Sequence, residues 1–157
     1  MDVSDFVEVA TSEIAQIVAR RGPKVCVLPI NGTRRWFVLE RSPSADENDA
    51  EDLITATGAE LRRLIKQLFD HGIETVVTPV YGRELADERG GDYRLMAVRG
   101  LQLLTEEAFR DFYAAEGVRV NFYGDYADHL ADHPGLLNAF DRTRRETHNY
   151  QDHRLFY

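Results

Sequence analysis

The chain has 157 residues, a formal net charge of −8 and a single cysteine, Cys26. This length suits one domain of ordinary size, and the charge argues against non-specific binding to nucleic acid or anionic membranes. A lone cysteine excludes an intramolecular disulfide framework. The N-terminus has no apolar stretch of the secretory type, and no uncharged run approaches membrane-spanning length. We therefore expect a cytoplasmic protein without an integral membrane segment.

The first third of the chain contains a helical and a strand pattern. Apolar residues recur with helical spacing in the N-terminal segment, residues 1–22. Residues 24–30, "KVCVLPI", form a short β-branched run bounded by Pro23 and Pro29, which predicts a buried strand with a buried thiol at Cys26. Residues 34–42, "RRWFVLERS", fit either a short strand or the start of a helix. Residues 41–52 are acidic, so we expect an exposed loop there.

Helical and strand patterns then alternate to the end of the sequence. The further predicted elements are a helix over residues 50–73, a buried strand over 73–82, a polar loop over 83–94, an amphipathic helix over 93–117 with a break near Gly100, a strand over 118–125, a helix over 126–150 and the start of a strand over 151–157. Buried strands alternating with long helical crossovers are typical of an α/β fold with a parallel sheet and flanking helices. We therefore predict a single α/β domain over residues 1–157.

Cations, tyrosines and glycines concentrate after the ends of three of the predicted strands. These ends are residues 31–36 ("NGTRRW"), 81–84 ("YGRE") and 124–126 ("GDY"). Ligands of open parallel sheets bind beyond the carboxyl ends of the strands. A turn with free N–H groups, a helix N-terminus and the guanidiniums of Arg34 and Arg35 would together hold a phosphate or diphosphate.

Each of these features also has a structural interpretation. Arg34 and Arg35 can be an exposed pair that balances the acidic segment after them. Trp36 on its own is more often a core residue than a ligand contact. Asp125 can cap the N-terminus of the helix that follows it, and the sequence alone favours this role.

Two other polar patterns are weaker candidates for binding sites. His129 and His133 are four residues apart near several aspartates, which is a metal-ligand spacing. Because Pro134 follows directly, the pattern favours a solvent-facing helix start, and no metal site is predicted. Residues 142–148, "RTRRETH", can be a second anion site, but an exposed charged helix face is the favoured interpretation.

The segment "NGTRRW" at residues 31–36 resembles the phosphate-binding loop of the cis-prenyltransferases, the undecaprenyl diphosphate synthase fold, whose motif is Asp-Gly-Asn-Gly-Arg-Trp. It is more similar still to the Asp-Gly-Thr-Arg-Arg-Trp version of tuberculosinyl transferase-type diterpene enzymes, which are built on that fold. Residues 57–84 are similar to the family's first long helix, second strand and Phe-Ser-x-Glu region. Residues 116–125 resemble its Gly-Val-Arg-Val-x-x-x-Gly-Asp strand. The likeness covers residues 22–157.

The resemblance implies an enzyme that ionises an isoprenyl (allylic) diphosphate and transfers the prenyl group to an acceptor or to water. The site residues that it implies are Gly32, Thr33, Arg34 and Arg35 for the diphosphate, Asn31, Tyr81 and Glu84 at catalytic positions, and Trp36 and Asp125 in support. Tyr81 would face the allylic cation, because a π face stabilises a cation without quenching it.

The sequence departs from the family at three places. Asn31 replaces the aspartate that holds Mg²⁺ or assists ionisation, and a neutral amide is a poor magnesium ligand and no base. Mg²⁺, which the resemblance implies as the cofactor, is therefore doubtful. Residues 55–57 replace the Gly-His-Arg of the first long helix, and the family's C-terminal portion, which grips the second substrate and supports the dimer, has no counterpart here.

These departures leave alternatives to an enzyme. One is a non-catalytic partner subunit, in a homodimer or in a heteromer with a longer homologue. Another, outside the resemblance, is a small α/β module that binds a phosphorylated metabolite. Prenyl length, acceptor and product are not predicted.

Overall fold

The computed structural model describes residues 7–21, 24–40, 50–82 and 91–157. Its elements are α1 (Thr11–Ala19), β1 (Val25–Val27), α2 (Thr33–Glu40), α3 (Ala50–Asp70), β2 (Thr75–Val77), α4 (Gly91–Leu103), α5 (Glu107–Ala115), β3 (Val118–Asn121), α6 (Tyr126–His129), α7 (Pro134–Glu146) and β4 (His153–Phe156). Within these ranges, no helix has the length and apolarity needed to cross a membrane. Of the predicted loops at 41–52 and 83–94, residues 41–49 and 83–90 lie outside the described residues, whereas residues 50–52 open α3 and residues 91–94 open α4, so the loop prediction was wrong for these two stretches.

The four strands form one parallel sheet in the order β1-β2-β4-β3. This confirms the predicted α/β architecture with a parallel sheet and flanking helices, and residues 153–156 form the fourth strand. Val76 of β2 pairs with Cys26 on one side and with Leu155 of β4 on the other. Val76 and Leu155 are fully buried, so the core of the domain surrounds the two central strands.

Helix α3 contributes an apolar face to the core. Its periodic residues Leu61, Ile65 and Phe69 are buried in the core, as the helical spacing predicted. Gly72 follows with a φ of 90°, a left-handed conformation that glycine adopts without strain, and the chain turns there into β2. The long helix is therefore connected to the start of β2 by a short turn at Gly72.

Strand β1 is less buried than predicted. It lies at the edge of the four-stranded sheet, and Val25 and Val27 are 54% and 64% exposed. Alternate strand residues point to opposite faces, so the two valines share one face while the half-buried Cys26 points to the other. The prediction of a buried strand and a buried thiol was wrong because the sequence pattern does not reveal a strand's position in the sheet.

The ambiguous segment after β1 is helical. Helix α2 begins at Thr33, and the N–H of Trp36 donates to the carbonyl of Gly32 at 2.9 Å as its first helical hydrogen bond. Gly32 has a φ of 75°, which turns the chain sharply between β1 and α2. Residues 31–36 therefore form a strand–turn–helix junction.

The two predicted C-terminal helices are each divided. The break in the first lies at residues 104–106 and not near Gly100, which is inside α4. At the break the Thr105 hydroxyl donates to the Gln102 carbonyl at 2.8 Å, and the Tyr113 hydroxyl donates to the Leu104 carbonyl at 2.9 Å. The second helix is divided into α6 and α7 because Pro134 occupies the first turn of α7, where its missing N–H costs nothing.

Candidate functional site

The turn between β1 and α2 presents backbone donors for which the described residues provide no backbone acceptor. The first N–H groups of a helix have no partner within the helix, and in α2 these belong to Thr33, Arg34 and Arg35. Gly32 precedes them and has no side chain that could cap them. Together with the partial positive charge of the helix N-terminus, these groups form a site that can accept an oxyanion.

The side chains of this loop divide between cavity and solvent. Asn31 and Thr33 line a cavity of about 320 Å³ together with the half-buried Trp36. Arg34 and Arg35 are exposed on the first turn of α2 and are not among the residues that line the cavities described here. Of the predicted diphosphate residues, Thr33 therefore lines the cavity, whereas Gly32 precedes α2 and Arg34 and Arg35 are exposed on its first turn.

We name this cavity the rim cavity, and its lining residues are Ile30, Asn31, Thr33, Trp36, Thr57, Glu60, Leu61 and Leu64. A second cavity of about 220 Å³, the apolar cavity, lies between α3 and α4 beyond the ends of β1 and β2. Its walls include Leu53, Ile54, Leu61, Val80, Met96, Leu101 and Phe109. The two cavities adjoin, since Ile30, Thr33, Thr57 and Leu61 line both.

Thr57 is a site residue that the sequence analysis did not single out. It lies where the rim and apolar cavities meet, and its buried hydroxyl has no hydrogen-bond partner among the described residues. A buried hydroxyl without a partner is unfavourable in the empty protein, but it can bond a polar atom of a ligand. The sequence could have identified Thr57 as a polar residue on the core face of α3, since it lies four positions after Leu53 and four before Leu61.

We expect Thr57→Val to stabilise the ligand-free protein by about 1 kcal/mol, because it removes an unpaired buried hydroxyl while keeping the β-branched shape. The matched control is Thr147→Val. The Thr147 hydroxyl accepts from the Val120 N–H at 3.1 Å and donates to the Thr143 carbonyl at 2.9 Å, so its loss should cost about 1–3 kcal/mol. Urea unfolding of both variants measures the difference. Destabilisation by Thr57→Val would mean that this hydroxyl has a partner in solution.

A third cavity, of about 310 Å³, lies at the carboxyl ends of β2, β3 and β4. We name it the aromatic cavity, because its walls include Tyr81, Phe122, Tyr123, Tyr126, Phe140 and Tyr157. Asp125 and His129 line it as well. The predicted site residues Tyr81 and Asp125 therefore meet in one cavity, whereas Asn31 lines a different one. Glu84 lies outside the described residues.

The buried wall of the aromatic cavity is rigid and uncharged. The rings of Phe122 and Phe140 are stacked with centroids 3.8 Å apart, and the Tyr157 ring lies 5.9 Å from Phe122. The hydroxyl oxygens of Tyr157 and Tyr113 are 3.1 Å apart. Burial raises the pKa of both phenols, so both remain neutral at physiological pH.

Asp125 lies at the N-cap position of α6, but its side chain makes no capping hydrogen bond. The structural interpretation of this residue is therefore only partly supported. The cluster of histidines and aspartates around His129 and His133 makes a structural contact, because Asp132 accepts hydrogen bonds from Arg94 at 2.9 and 3.1 Å. Among the described residues, no three histidine, cysteine or acidic side chains are grouped as metal ligands.

The rim cavity is a poor fit to the Mg²⁺ that the resemblance implies. Its described oxygen donors include the neutral amide of Asn31 and one carboxylate, Glu60, whose Oε1 accepts a hydrogen bond from Arg63 Nε at 2.7 Å. Magnesium requires near-octahedral oxygen ligation and is usually bound through carboxylates. One engaged carboxylate and one amide do not provide that set, so we assign no step to the metal.

Comparison with known proteins gives one informative similarity. No protein-family model matches the chain. The chain is 39% identical over 155 residues to a protein of Mycobacterium tuberculosis (strain CDC 1551 / Oshkosh) named tuberculosinyl adenosine transferase. The match covers 96% of this chain and 50% of that protein, so the chain spans about half of the relative's length. The identity supports a prenyltransferase-type family for the chain, while the cis-prenyltransferase fold stays a prediction.

Proposed function

We propose that the chain carries the diphosphate and prenyl sites of a transferase or terpene-synthase-type enzyme that acts on an allylic isoprenyl diphosphate. The position of Thr33 is the observation on which this rests. Thr33 is the first residue of α2, its N–H is one of the donors of the first helical turn, and it also lines the apolar cavity. An anionic head at the helix N-terminus and a hydrocarbon tail between α3 and α4 can therefore belong to one ligand.

The proposed head site combines backbone and side-chain donors. The N–H groups of the first turn of α2 donate hydrogen bonds to the diphosphate oxygens, and the guanidiniums of Arg34 and Arg35 on the same turn close over it as charge-assisted donors. Both guanidiniums are exposed, so solvent screens them until a ligand is bound. Asn31 contributes a neutral donor at the rim cavity.

In the proposed reaction, the bond between the allylic carbon and the diphosphate oxygen breaks, and the electron pair leaves with the diphosphate. The N–H groups and guanidiniums stabilise the negative charge that develops on the leaving group. The allylic cation is stabilised by the π face of Tyr81 at the end of β2 until an acceptor or water forms the new bond. Glu84 follows Tyr81 by three residues and is proposed at the family's acidic position. The name of the relative, a transferase, supports this reaction class.

The direct test is to incubate the purified chain with geranylgeranyl or farnesyl diphosphate and to measure the diphosphate that is released. Parallel reactions with Mg²⁺ and with a chelator show whether a chain with Asn31 at the family's aspartate position releases diphosphate without the metal. Release of diphosphate supports the enzyme. Binding without release rejects catalysis by this chain alone and favours the alternative below.

Replacing Arg34 and Arg35 together by alanine should weaken binding of an isoprenyl diphosphate by about 100-fold or more, since charge-assisted hydrogen bonds contribute about 1.5–3 kcal/mol each. Isothermal titration calorimetry measures the change. The matched control is the double alanine variant of Arg20 and Arg21, an exposed arginine pair at the other end of β1 that gives the same change in net charge. Equal affinity in the two double variants would contradict the proposed head site.

Two observations favour a second candidate, a non-catalytic subunit that supports an active chain. Asn31 lacks the carboxylate of the family motif, and β1 presents Val25 and Val27 at an exposed sheet edge. Exposed edge strands with apolar side chains pair readily with further strands. Co-expression with a longer homologue followed by size-exclusion chromatography tests this alternative, and a stable complex that is active only when both chains are present would support it.

A further inference from the structure

We propose that the chain has a second anion site, which binds a small soluble phosphate or diphosphate at the sheet edge farthest from the head site on α2. The site is a fourth cavity of about 380 Å³, which we name the basic cavity. Its lining residues are Arg119, Val120, Asn121, Asp141, Arg144, Arg145, His148 and Asn149. The volume is within the size range of small-molecule sites, and the proposal does not depend on the function proposed above.

The basic cavity lies between strand β3 and the C-terminal turn of α7. Strand β3 is an edge of the described sheet. The Thr147 hydroxyl, just beyond α7, accepts a hydrogen bond from the Val120 N–H at 3.1 Å, and both residues are buried. This contact holds the end of the helix against the edge strand, so residues of β3 and of the last turn of α7 line one concave surface.

The lining of the basic cavity has an excess of positive charge. Three guanidiniums line it against one carboxylate, Asp141, whose Oδ1 lies 3.6 Å from Nη1 of Arg144. Among the described residues, the guanidiniums of Arg119 and Arg145 have no hydrogen-bond or ion-pair partner. Two uncompensated cations at one cavity are unexpected in a chain of net charge −8, and they match the charge of a dianion.

Interactions within the chain account for only part of this cluster. Arg144 and Arg145 lie in the last turn of α7, where cations complement the partial negative charge of the helix C-terminus. That role does not extend to Arg119, which comes from a separate strand. The Glu146 carboxylate does not line the cavity, because its Oε2 accepts a hydrogen bond from Arg110 Nε at 3.0 Å. A ligand is therefore the counterion that the arrangement lacks.

Neutral donors complete the lining. The side-chain amides of Asn121 and Asn149 and the imidazole of His148 all line the cavity. His148 Nδ1 and Asn149 Oδ1 are 3.2 Å apart, so the imidazole donates to the amide oxygen in the tautomer that carries hydrogen on Nδ1. The amide nitrogen of Asn149 then stays available as a donor. Guanidiniums with amide donors beside them are suited to the several oxygens of a phosphate group.

The basic cavity is separate from the proposed head site. Strands β1 and β3 are the two edges of the described sheet, and neighbouring strands are about 4.8 Å apart, so three spacings separate the sites by about 14 Å. The basic cavity shares no lining residue with the rim, apolar or aromatic cavity. One diphosphate group is too short to reach both sites. The ligand of the basic cavity is therefore a second anion.

The experiment is a titration of the ¹⁵N-labelled chain with inorganic diphosphate, followed by backbone amide NMR shifts. It is carried out on the wild type and on the variant in which Arg34 and Arg35 are both alanine, which removes the guanidiniums of the head site. We expect saturable shifts at Arg119 and Asn149 in both proteins. A parallel titration with phosphatidylglycerol vesicles should leave these signals unchanged, because the site is proposed for a soluble anion.

Arg145→Gln should weaken diphosphate binding by about fivefold or more, since it removes a charge-assisted donor and glutamine keeps the helix propensity. The matched control is Arg142→Gln, an exposed residue of the same helix that does not line the cavity and gives the same change in net charge. Its affinity should stay within about twofold of the wild type. The dispersion of the NMR spectrum verifies that both variants are folded.

Four results would overturn the proposal. They are the absence of saturable shifts at the basic cavity, the loss of those shifts in the variant without Arg34 and Arg35, equal affinity in Arg145→Gln and Arg142→Gln, and a response to the vesicles without a response to diphosphate. Failure of the diphosphate-release assay would reject the proposed reaction and leave this titration intact, so the two proposals fail separately.

Discussion

Gly100→Leu should weaken binding of a prenyl diphosphate by about tenfold or more while the protein stays folded. Gly100 lines the apolar cavity from within α4, and a Cβ added there would meet no atom within 4 Å, so a leucine side chain would extend into the open space. Displacing roughly two methylene groups of the tail removes about 0.8 kcal/mol for each. Calorimetric titration with geranylgeranyl diphosphate measures the effect.

The control variant for this prediction is Gly135→Leu. Gly135 lies exposed in the first turn of α7, and an added Cβ is equally free of contacts there. Gly100→Leu should still bind inorganic diphosphate like the wild type, because the head site on α2 is unchanged. Unchanged affinity for the whole prenyl diphosphate in Gly100→Leu would mean that the tail does not enter the apolar cavity.

Gly117→Ala should lower the free energy of unfolding by about 2–4 kcal/mol, which is the sum of two costs. Gly117 has a φ of 59°, a left-handed conformation that is unfavourable for alanine. An added Cβ would also lie 2.9 Å from Cγ and 3.1 Å from Cβ of Asp152, inside normal contact distance. Thermal unfolding should show a lower Tm by roughly 5–15 °C for a chain of this length.

A double-mutant cycle with Asp152→Gly separates the two costs. Asp152→Gly removes the clashing side chain, so the double variant should recover the steric part and retain the backbone part. The result bears on function because Gly117 turns the chain from α5 into β3, and its carbonyl accepts from the His153 N–H at 3.3 Å. This turn sets β3 beside β4, whose ends build the aromatic cavity. If the double variant recovers none of the lost free energy of unfolding, the clash with the Asp152 side chain does not contribute to the effect of Gly117→Ala.

Local sequence pattern was sufficient for most helices and strands. The period of Leu61, Ile65 and Phe69 predicted α3, and β-branched runs predicted β2 and β3, because each pattern matches the periodicity of one type of backbone. The sequence pattern gave a wrong prediction where one residue type is compatible with two structures, as a glycine is with a helix break and with a helix interior. Gly100 was expected to interrupt a helix, but it lies within α4, where glycine lowers the stability of the helix only through its low helix propensity. The helix is interrupted at residues 104–106 instead.

The candidate site was predictable in part. Strand-end turns at Asn31, Tyr81 and Asp125 were expected at one edge of a parallel sheet, and all three lie there. Which of them share a cavity was not predictable, because that depends on strand order. Thr57 was missed because its significance lies in an unpaired hydroxyl, a property of its surroundings and not of its position in a pattern.

The sequence by itself therefore determined the α/β class and the helical periods, since these depend on interactions between near neighbours in the chain, whereas it left residues 34–42 open between a strand and a helix. Only the tertiary structure decided that β4 lies between β2 and β3, that β1 is an exposed edge, and that Thr33 lines two adjoining cavities. Those features arise from contacts between residues far apart in the chain, such as Val76 and Leu155, which pair between β2 and β4. Non-local packing of this kind leaves no periodic trace in a single sequence.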